Sequence, residues 1–480
     1  MPQTHALIAE CRRSLRSAAP LIAAQLIQMG HALADTLVAA RLGVQEFAAV
    51  GLAGSLWFFS SLLCIGLLAG LSPLASEQIG RRAPLNVGVL FRQGLWLSLV
   101  VGLLACFALF TMAASFHLWK LDPELSPLMR EHAFAACWGL FPLAAIIACR
   151  NICEATQITR VVFIVTLIGL VINLLGNLGL GLGWFGLPAL GVTGIGLSTT
   201  LVGFSMLVVI LICLRGKAFQ RYALFVFAKP DKKIISALLT LSIPIFFTLL
   251  FEAGLFGATM IQMGMISTLA AAAHTLAISA TAFCYMFPLG LSFALTARVG
   301  RIHGLINLQT RKQTRQQTTQ HARETDGFTL GARDKHASLH LRLVAGCVLT
   351  FVFAASTSVL LVLFRHDIVR IYSDDAAVRE FATYLLLLAA VFQFSDAAQA
   401  TLIGMLRGLQ DARVPMLINA FSYWVIGFGL GVYLAHYLGW GATGLWVGLI
   451  SGLTLSATLL GLRLWHLSQR HLQQKTPQYA

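Results

Sequence analysis

The sequence predicts an all-α integral membrane protein of twelve transmembrane helices arranged as two pseudo-symmetric six-helix bundles. Its composition, its count of long apolar runs and an internal repeat predict this. Of 480 residues, 58% are hydrophobic and 11% charged, and the mean hydropathy is +0.79. Soluble domains do not have that balance. About 20 apolar residues span a bilayer, and stretches of that kind use up most of the chain. Disordered chains, disulfide scaffolds, coiled coils and cytosolic enzymes are excluded on the same grounds, and barrel strands would be shorter and alternating.

The first span, 17–40, follows Arg12, Arg13 and Arg16 and carries an acid, so it reads as a retained helix rather than a cleaved signal. The next five cover 47–72, 94–115, 132–148, 161–183 and 190–214, each bounded by charged or Gly/Pro-containing segments. After a basic stretch a second six follow at 234–265, 268–296, 343–364, 381–405, 414–437 and 441–462. This divides the chain into an N-terminal six-helix lobe (1–214), a cytoplasmic linker (215–233) and a C-terminal lobe (234–480) with a cytoplasmic loop at 298–342. That loop is polar and lacks a hydrophobic period, so it is expected to be flexible. The linker, RGKAFQRYALFVFAKPDKK, has the alternative of an amphipathic helix on the membrane surface, with Phe219, Tyr222, Phe225 and Phe227 among basic residues.

With alternate loops on opposite sides, 28 of the 34 Lys and Arg fall with the two termini; Arg41, Lys120, Arg130, Arg365, Arg370 and Arg379 fall on the other side. The positive-inside rule then predicts both termini in the cytoplasm. The net charge of +15 is thereby explained by topology and attraction to anionic lipid, without nucleic acid. Nine cysteines, an odd number lying mostly in apolar runs, give no disulfide framework. Cys149 and Cys153, one turn apart, lack the further ligands of a metal site.

Shifting the chain by 224 residues pairs Pro20 with Pro244, Gly30 with Gly254, Gly66 with Gly290, Gly80 with Gly304, and Gln28 with Glu252. Six helices per half start both halves on the same side, which makes this a parallel repeat of the kind found in transporters.

Three acids lie inside spans: Asp35, Glu252 and Asp396, with no Lys or Arg among them. A buried carboxylate in hydrocarbon is costly and marks an ion or substrate path. Asp35 lies toward the outer end of its span; its rival reading is a residue reaching the headgroups. His31, one turn earlier, is placed to share a proton with it, though a His packed against a neighbouring helix reads equally well. Glu252 has more than ten residues of apolar sequence on either side. Asp396 keeps company with Gln393, Ser395 and Gln399, as in a wet cavity lining. Each acid can exchange a proton or hold a small cation, with Glu252 and Asp396 a place for Na+. Asn173 and Asn177, four residues apart, either bond between helices or line the cavity. Phe251, Met260, Phe283, Tyr285, Met286 and Phe287 offer a pliable apolar wall beside Glu252. No GxxxxGK[ST] loop occurs, so nothing points to ATP, and no cofactor is called for beyond a coupling H+ or Na+.

Three stretches carry a family resemblance: PLIAAQLIQMGHALADTLVAARLGVQEFAAVGLA; SIPIFFTLLFEAGLF with AAAHTLAISATAFCYMFPLGLSFALTARVG; and FSDAAQATLIGMLRGLQDARVPMLIN. They resemble the multidrug and toxic compound extrusion (MATE) transporters, closest to the NorM-type bacterial branch, in order over roughly 17–462. The resemblance implies two lobes forming a V around a central cavity, in a bacterial inner membrane. It also implies export of organic cations in exchange for H+ or Na+ by alternating access, with no enzymatic activity and no obligate protein partner evident. It assigns the helix 1, 7 and 10 acids to Asp35, Glu252 and Asp396, the helix 5 asparagines to Asn173 and Asn177, and the AAH histidine to His274. The chain departs from the pattern at Phe392, where a Tyr is usual, which removes a possible oxygen ligand and disfavours Na+. RVGRIHGLINLQ also replaces the usual RVGxxLGxGD. An alternative is a lipid-linked oligosaccharide flippase of the same superfamily, which would need basic residues in its spans. A major-facilitator carrier would place its longest loop between helices 6 and 7. A membrane-embedded enzyme would need a polar cluster at one face, and the one candidate, FRHDIVRIYSDD, reads as a short solvated loop.

Overall fold

The computed structural model describes residues 2–116, 124–318 and 332–473, and among these the regular structure is helical throughout. Among the described residues, eleven helices are long and apolar enough to cross a membrane. They become twelve when the bent pair Leu125–Cys137 and Leu140–Thr156, which meet at 44°, counts as one span. The chain is therefore a multi-pass membrane protein.

In order the helices are α1 (Pro2–Leu42), α2 (Val44–Leu68), α3 (Leu71–Gly80), α4 (Pro84–Ala114), α5 (Leu125–Cys137), α6 (Leu140–Thr156), α7 (Arg160–Gly176) and α8 (Gly191–Leu214). The second half has α9 (Lys232–Ile266), α10 (Thr268–Thr318), α11 (Ala332–Leu363), α12 (Arg365–Tyr372), α13 (Ala376–Gly408), α14 (Arg413–Ala420) and α15 (Gly441–Gln473). Wider π-helical turns continue α7 over Asn177–Gly181 and α14 over Phe421–Leu430. Such turns are rare and recur at functional positions.

Several expectations need correction. The loop expected over 298–342 is shorter, because helical backbone runs through Thr318 and resumes at Ala332; residues 319–331 lie outside the described residues. FRHDIVRIYSDD is not a plain loop. Residues Arg365–Tyr372 of it fold into α12, and Asp375 caps α13 by accepting from the backbone N–H groups of Ala377 and Val378 at 2.8 and 3.1 Å. The 215–233 segment forms no surface helix either. A short 3₁₀ turn buries Phe219 and Tyr222, and a strap follows along α4. Arg92 Nη1 donates to the Ala223 carbonyl at 2.6 Å, Trp96 Nε1 to Ala228 at 3.0 Å and Gln93 Nε2 to Lys229 at 2.9 Å. These bonds satisfy strap carbonyls that a helix would have satisfied internally.

The chain divides into two compact units. One comprises 1–22, 80–82 and 247–480, the other 23–79 and 83–246. The boundaries at 22/23 and 246/247 differ by 224 residues, the period of the sequence repeat, and fall two residues beyond Pro20 and Pro244. The same period relates two tight contacts. In one unit a Cβ on Gly66 would lie 2.6 Å from the Phe246 Cα; in the other, a Cβ on Gly290 would lie 2.7 Å from the Ile22 backbone N. Helices in lipid associate through such close backbone approach. Gly290→Leu is therefore expected to destabilise the protein by about 1–3 kcal/mol or more through overpacking. A thermal melt in detergent checks this, with Gly51→Leu, whose Cβ meets nothing within 4 Å, leaving the melt unchanged.

Within the unit holding 247–480, α13 packs on α10, α11 and α15. Ser292 Oγ on α10 donates to the Ala400 carbonyl and Thr296 Oγ1 to that of Gly404, both at 2.8 Å. These hydroxyl bonds fix α10 against α13, and with them the side chains one to two turns away that form the acid site.

Candidate functional site

Each unit holds its own acids, Asp396 buried and Asp35 and Glu252 half-buried. In the unit holding 23–79, Asp35 on α1 faces the end of α7. Its Oδ1 accepts from Asn173 Nδ2 at 2.9 Å and from Asn177 Nδ2 at 2.6 Å. The two asparagines are fully or nearly fully buried, at 2% and 0% exposure. Asparagines four residues apart on a helix share a face, and Asn177 begins the π-helical turn, so both amides converge on one carboxylate oxygen. Ser198 Oγ on α8 donates to the Asn173 carbonyl at 3.3 Å and holds that turn in place. Neutral amide donors can satisfy a carboxylate without cancelling its charge.

His31 is not paired with Asp35. Its Nδ1 lies 3.2 Å from the Ile27 carbonyl of its own helix, and its ring lies against Gly169 of α7. One turn of separation permitted the pair, but the asparagines occupy the acid and the helix carbonyl takes the imidazole. Gln28 is exposed. Replacing Asn177 with leucine removes the shorter of the two bonds to Asp35, worth about 1.5–3 kcal/mol for a charged acceptor. The expected outcome is a lower melting temperature for Asn177→Leu, and a much smaller loss when the same change is made in Asp35→Asn; a double-mutant cycle reads the difference.

In the other unit Glu252 on α9 is the hub. Its Oε1 accepts from Tyr285 Oη on α10 at 3.1 Å and more weakly from Gln399 Nε2 on α13 at 3.4 Å. Gln399 Oε1 in turn accepts from Tyr423 Oη at 2.7 Å, within the second π-helical segment. Asp396 lies one turn before Gln399 on α13, is 3% exposed, and has its Oδ1 buried without a hydrogen-bond partner. It shares a face of α13 with Gln399, which bonds Glu252. The arrangement is two carboxylates with phenol and amide donors on one of them and an open oxygen on the other. Such a site can bind a proton, a small cation or the charged head of an organic cation.

Phe392, one turn before Asp396, is 1% exposed and packs into the apolar core against Phe256 and Trp446, with ring centroids at 6.2 and 5.8 Å. His274 lies in the same core, its ring 5.6 Å from that of Trp446. Neither reaches the acids by a hydrogen bond among the described residues.

One member of the Glu252 site is absent from the sequence-based list. Tyr423 lies in an apolar run, FSYWVIGFG, where a phenol alone gives little signal.

The chain resembles known proteins over nearly its whole length. The MatE family model matches residues 20–178, 244–320 and 326–433. A probable multidrug resistance protein NorM from Xanthomonas campestris pv. campestris is 34% identical over 467 residues, covering 96% of this chain and 95% of that protein. A protein of the same description from Idiomarina loihiensis is 30% identical over 460 residues, covering 94% and 93%. Among solved structures, a eukaryotic MATE transporter superposes with a TM-score of 0.82 at 16% identity, covering 98% of this chain and 99% of that one. A MATE in the bent conformation gives 0.82 at 17% identity, covering 99% of each chain. The helical fold expected from the sequence is that of these structures.

Proposed function

The chain belongs to the MatE family, and from that premise we propose that it is a secondary active efflux antiporter exporting amphipathic organic cations in exchange for H+ or Na+ by alternating access. The named relatives, probable multidrug resistance proteins of bacteria, support the multidrug substrate class and a place in the bacterial inner membrane. The asymmetry of basic residues between loops supports cytoplasmic termini.

The observation that carries the reading is the Glu252 site, where the half-buried Glu252 is held by phenol and amide donors and the buried Asp396 has an unpartnered oxygen. In the proposed cycle the ionised acids attract a cationic substrate from the cytoplasm or inner leaflet. Entry of H+ or Na+ from outside satisfies the same carboxylates and releases it. Coupling requires only that each ligand lower the other's affinity, and linkage makes that effect reciprocal. Asp35, with its two asparagines, forms a second carboxylate site for the coupling ion or the substrate.

The test is export of a fluorescent organic cation from proteoliposomes under an imposed proton gradient and, separately, a sodium gradient. Wild type is expected to transport under at least one of them, and Asp35→Asn or Asp396→Asn to reduce that transport. A folded wild type that moves no cation under either gradient would contradict the reading and favour a lipid-linked substrate.

A further inference from the structure

The 215–233 strap carries six Lys and Arg against one acid, Asp231, yet its middle is apolar. Phe225, Val226 and Phe227 are all exposed, Phe227 at 81%. Exposed aromatic residues among bases suit a membrane–water boundary better than water. The strap is nevertheless fastened to the protein, because Arg92 bonds the Ala223 carbonyl and Trp96 that of Ala228. Strap residues 224–228 and the α4 residues Arg92, Leu95, Trp96 and Leu99 line a pocket of about 380 Å³.

Two guanidinium groups belong to this pocket. Arginine has five N–H donors; one of those on Arg92 bonds Ala223, while its Nε has no partner. Arg215 Cζ lies 5.6 Å from the ring centre of Phe225, a wall residue. Among the described residues neither arginine is paired with a carboxylate. Their planar forks match a phosphate group, and the exposed Lys217, Arg221 and Lys229 of the strap add to the positive field. From Leu99 at the pocket, α4 continues with Leu103, Phe107 and Phe110, all exposed. Three or four residues apart, they form one apolar stripe about 17 Å long. Half of a hydrocarbon core about 30 Å thick is about 15 Å. A cationic pocket followed by an apolar stripe of that length matches one leaflet's lipid, headgroup first and acyl chain after.

We propose that the pocket between the strap and α4 binds an anionic phospholipid, its phosphate held by Arg92 and Arg215 and its acyl chain laid along the stripe from Leu99 to Phe110. None of the lining residues bonds Asp35, Glu252 or Asp396 among the described residues, so the proposal stands whether or not the chain exports organic cations.

The test titrates the purified full-length protein in a neutral detergent with dioleoylphosphatidylglycerol, dioleoylphosphatidylcholine or glycerol 3-phosphate, and native mass spectrometry counts the bound molecules. Wild type is compared with Arg92→Gln, Arg215→Gln and Arg12→Gln, the last an exposed arginine outside the pocket. Wild type is expected to bind phosphatidylglycerol at least about tenfold more tightly than either of the other two. Arg215→Gln should weaken phosphatidylglycerol about fivefold or more and leave phosphatidylcholine unchanged, and Arg12→Gln should change neither. Equal affinity of folded wild type for both lipids overturns the proposal, as does a folded Arg215→Gln that binds phosphatidylglycerol like wild type. Glycerol 3-phosphate bound as tightly as phosphatidylglycerol would make this an anion site without a lipid and overturn it too. Lipid-free wild-type dimers that Phe227→Ser dissociates would assign the face to a second copy of the chain, with the same result for the proposal. Arg92 also fastens the strap, so if Arg92→Gln does not fold, Arg215→Gln decides the matter; the exposed Arg215 side chain bonds no strap carbonyl among the described residues.

Discussion

Replacing Glu252 with glutamine is expected to cut gradient-driven export of an organic cation by at least about tenfold while leaving the protein folded. Glutamine keeps the length of the side chain and an oxygen that can accept from Tyr285 and Gln399, which hold Glu252 at 3.1 and 3.4 Å. What it loses is the charge. A tenfold effect corresponds to about 1.4 kcal/mol, less than a single charge-assisted contact commonly supplies. Neutralising Glu252 removes the charge that substrate and coupling ion are proposed to share, and should weaken binding of both. Tyr285→Phe removes one donor and keeps the charge, and is expected to have the milder effect. Initial rates in proteoliposomes, with thermal melts of the same samples, separate loss of transport from loss of fold.

The largest effect on stability is expected from Glu10. Its carboxylate, 6% exposed at the side chain, accepts from Arg298 Nη2 of α10 and lies 3.5 Å from Arg342 Nε of α11. The Arg298 side chain is itself only 8% exposed. Arg342 also donates to the Arg298 backbone carbonyl at 2.6 Å. The first turns of α1 are thus tied to α10 and α11, in the unit that contains 247–480. Glu10→Ala would leave two arginines facing each other without their shared anion. Breaking a buried ion pair from one side costs about 3–5 kcal/mol, so a large fall in melting temperature is expected. Arg13→Ala, removing a partner whose side chain is 73% exposed, should change little.

The twelve spans were legible because hydrocarbon imposes both length and composition on a helix, and the repeat because close packing in lipid demands small residues at matched places. Gly66 and Gly290 carried that signal, and both meet backbone atoms of their neighbours. The three acids were legible for the same reason, since a charge among apolar residues stands out. Less visible were interactions whose partners come from distant parts of the chain. Glu10 carries no signal of its own in the sequence, because its partners Arg298 and Arg342 come from α10 and α11. The His31 and Asp35 spacing was compatible with a pair, but spacing cannot reveal that α7 offers two better donors. The strap after residue 222 has the composition of an interfacial helix. Its conformation is set by Arg92, Gln93 and Trp96 of α4, more than a hundred residues earlier.

Displacement of the coupling ion by substrate tests the central claim most directly. The purified protein, in weakly buffered solution with a pH indicator or with radioactive sodium bound, is titrated with ethidium. If substrate and coupling ion compete for the same carboxylates, ethidium binding releases protons or sodium in proportion to the dye bound, and Glu252→Gln greatly reduces that release. Binding of ethidium at full affinity with no release of either ion would contradict the account.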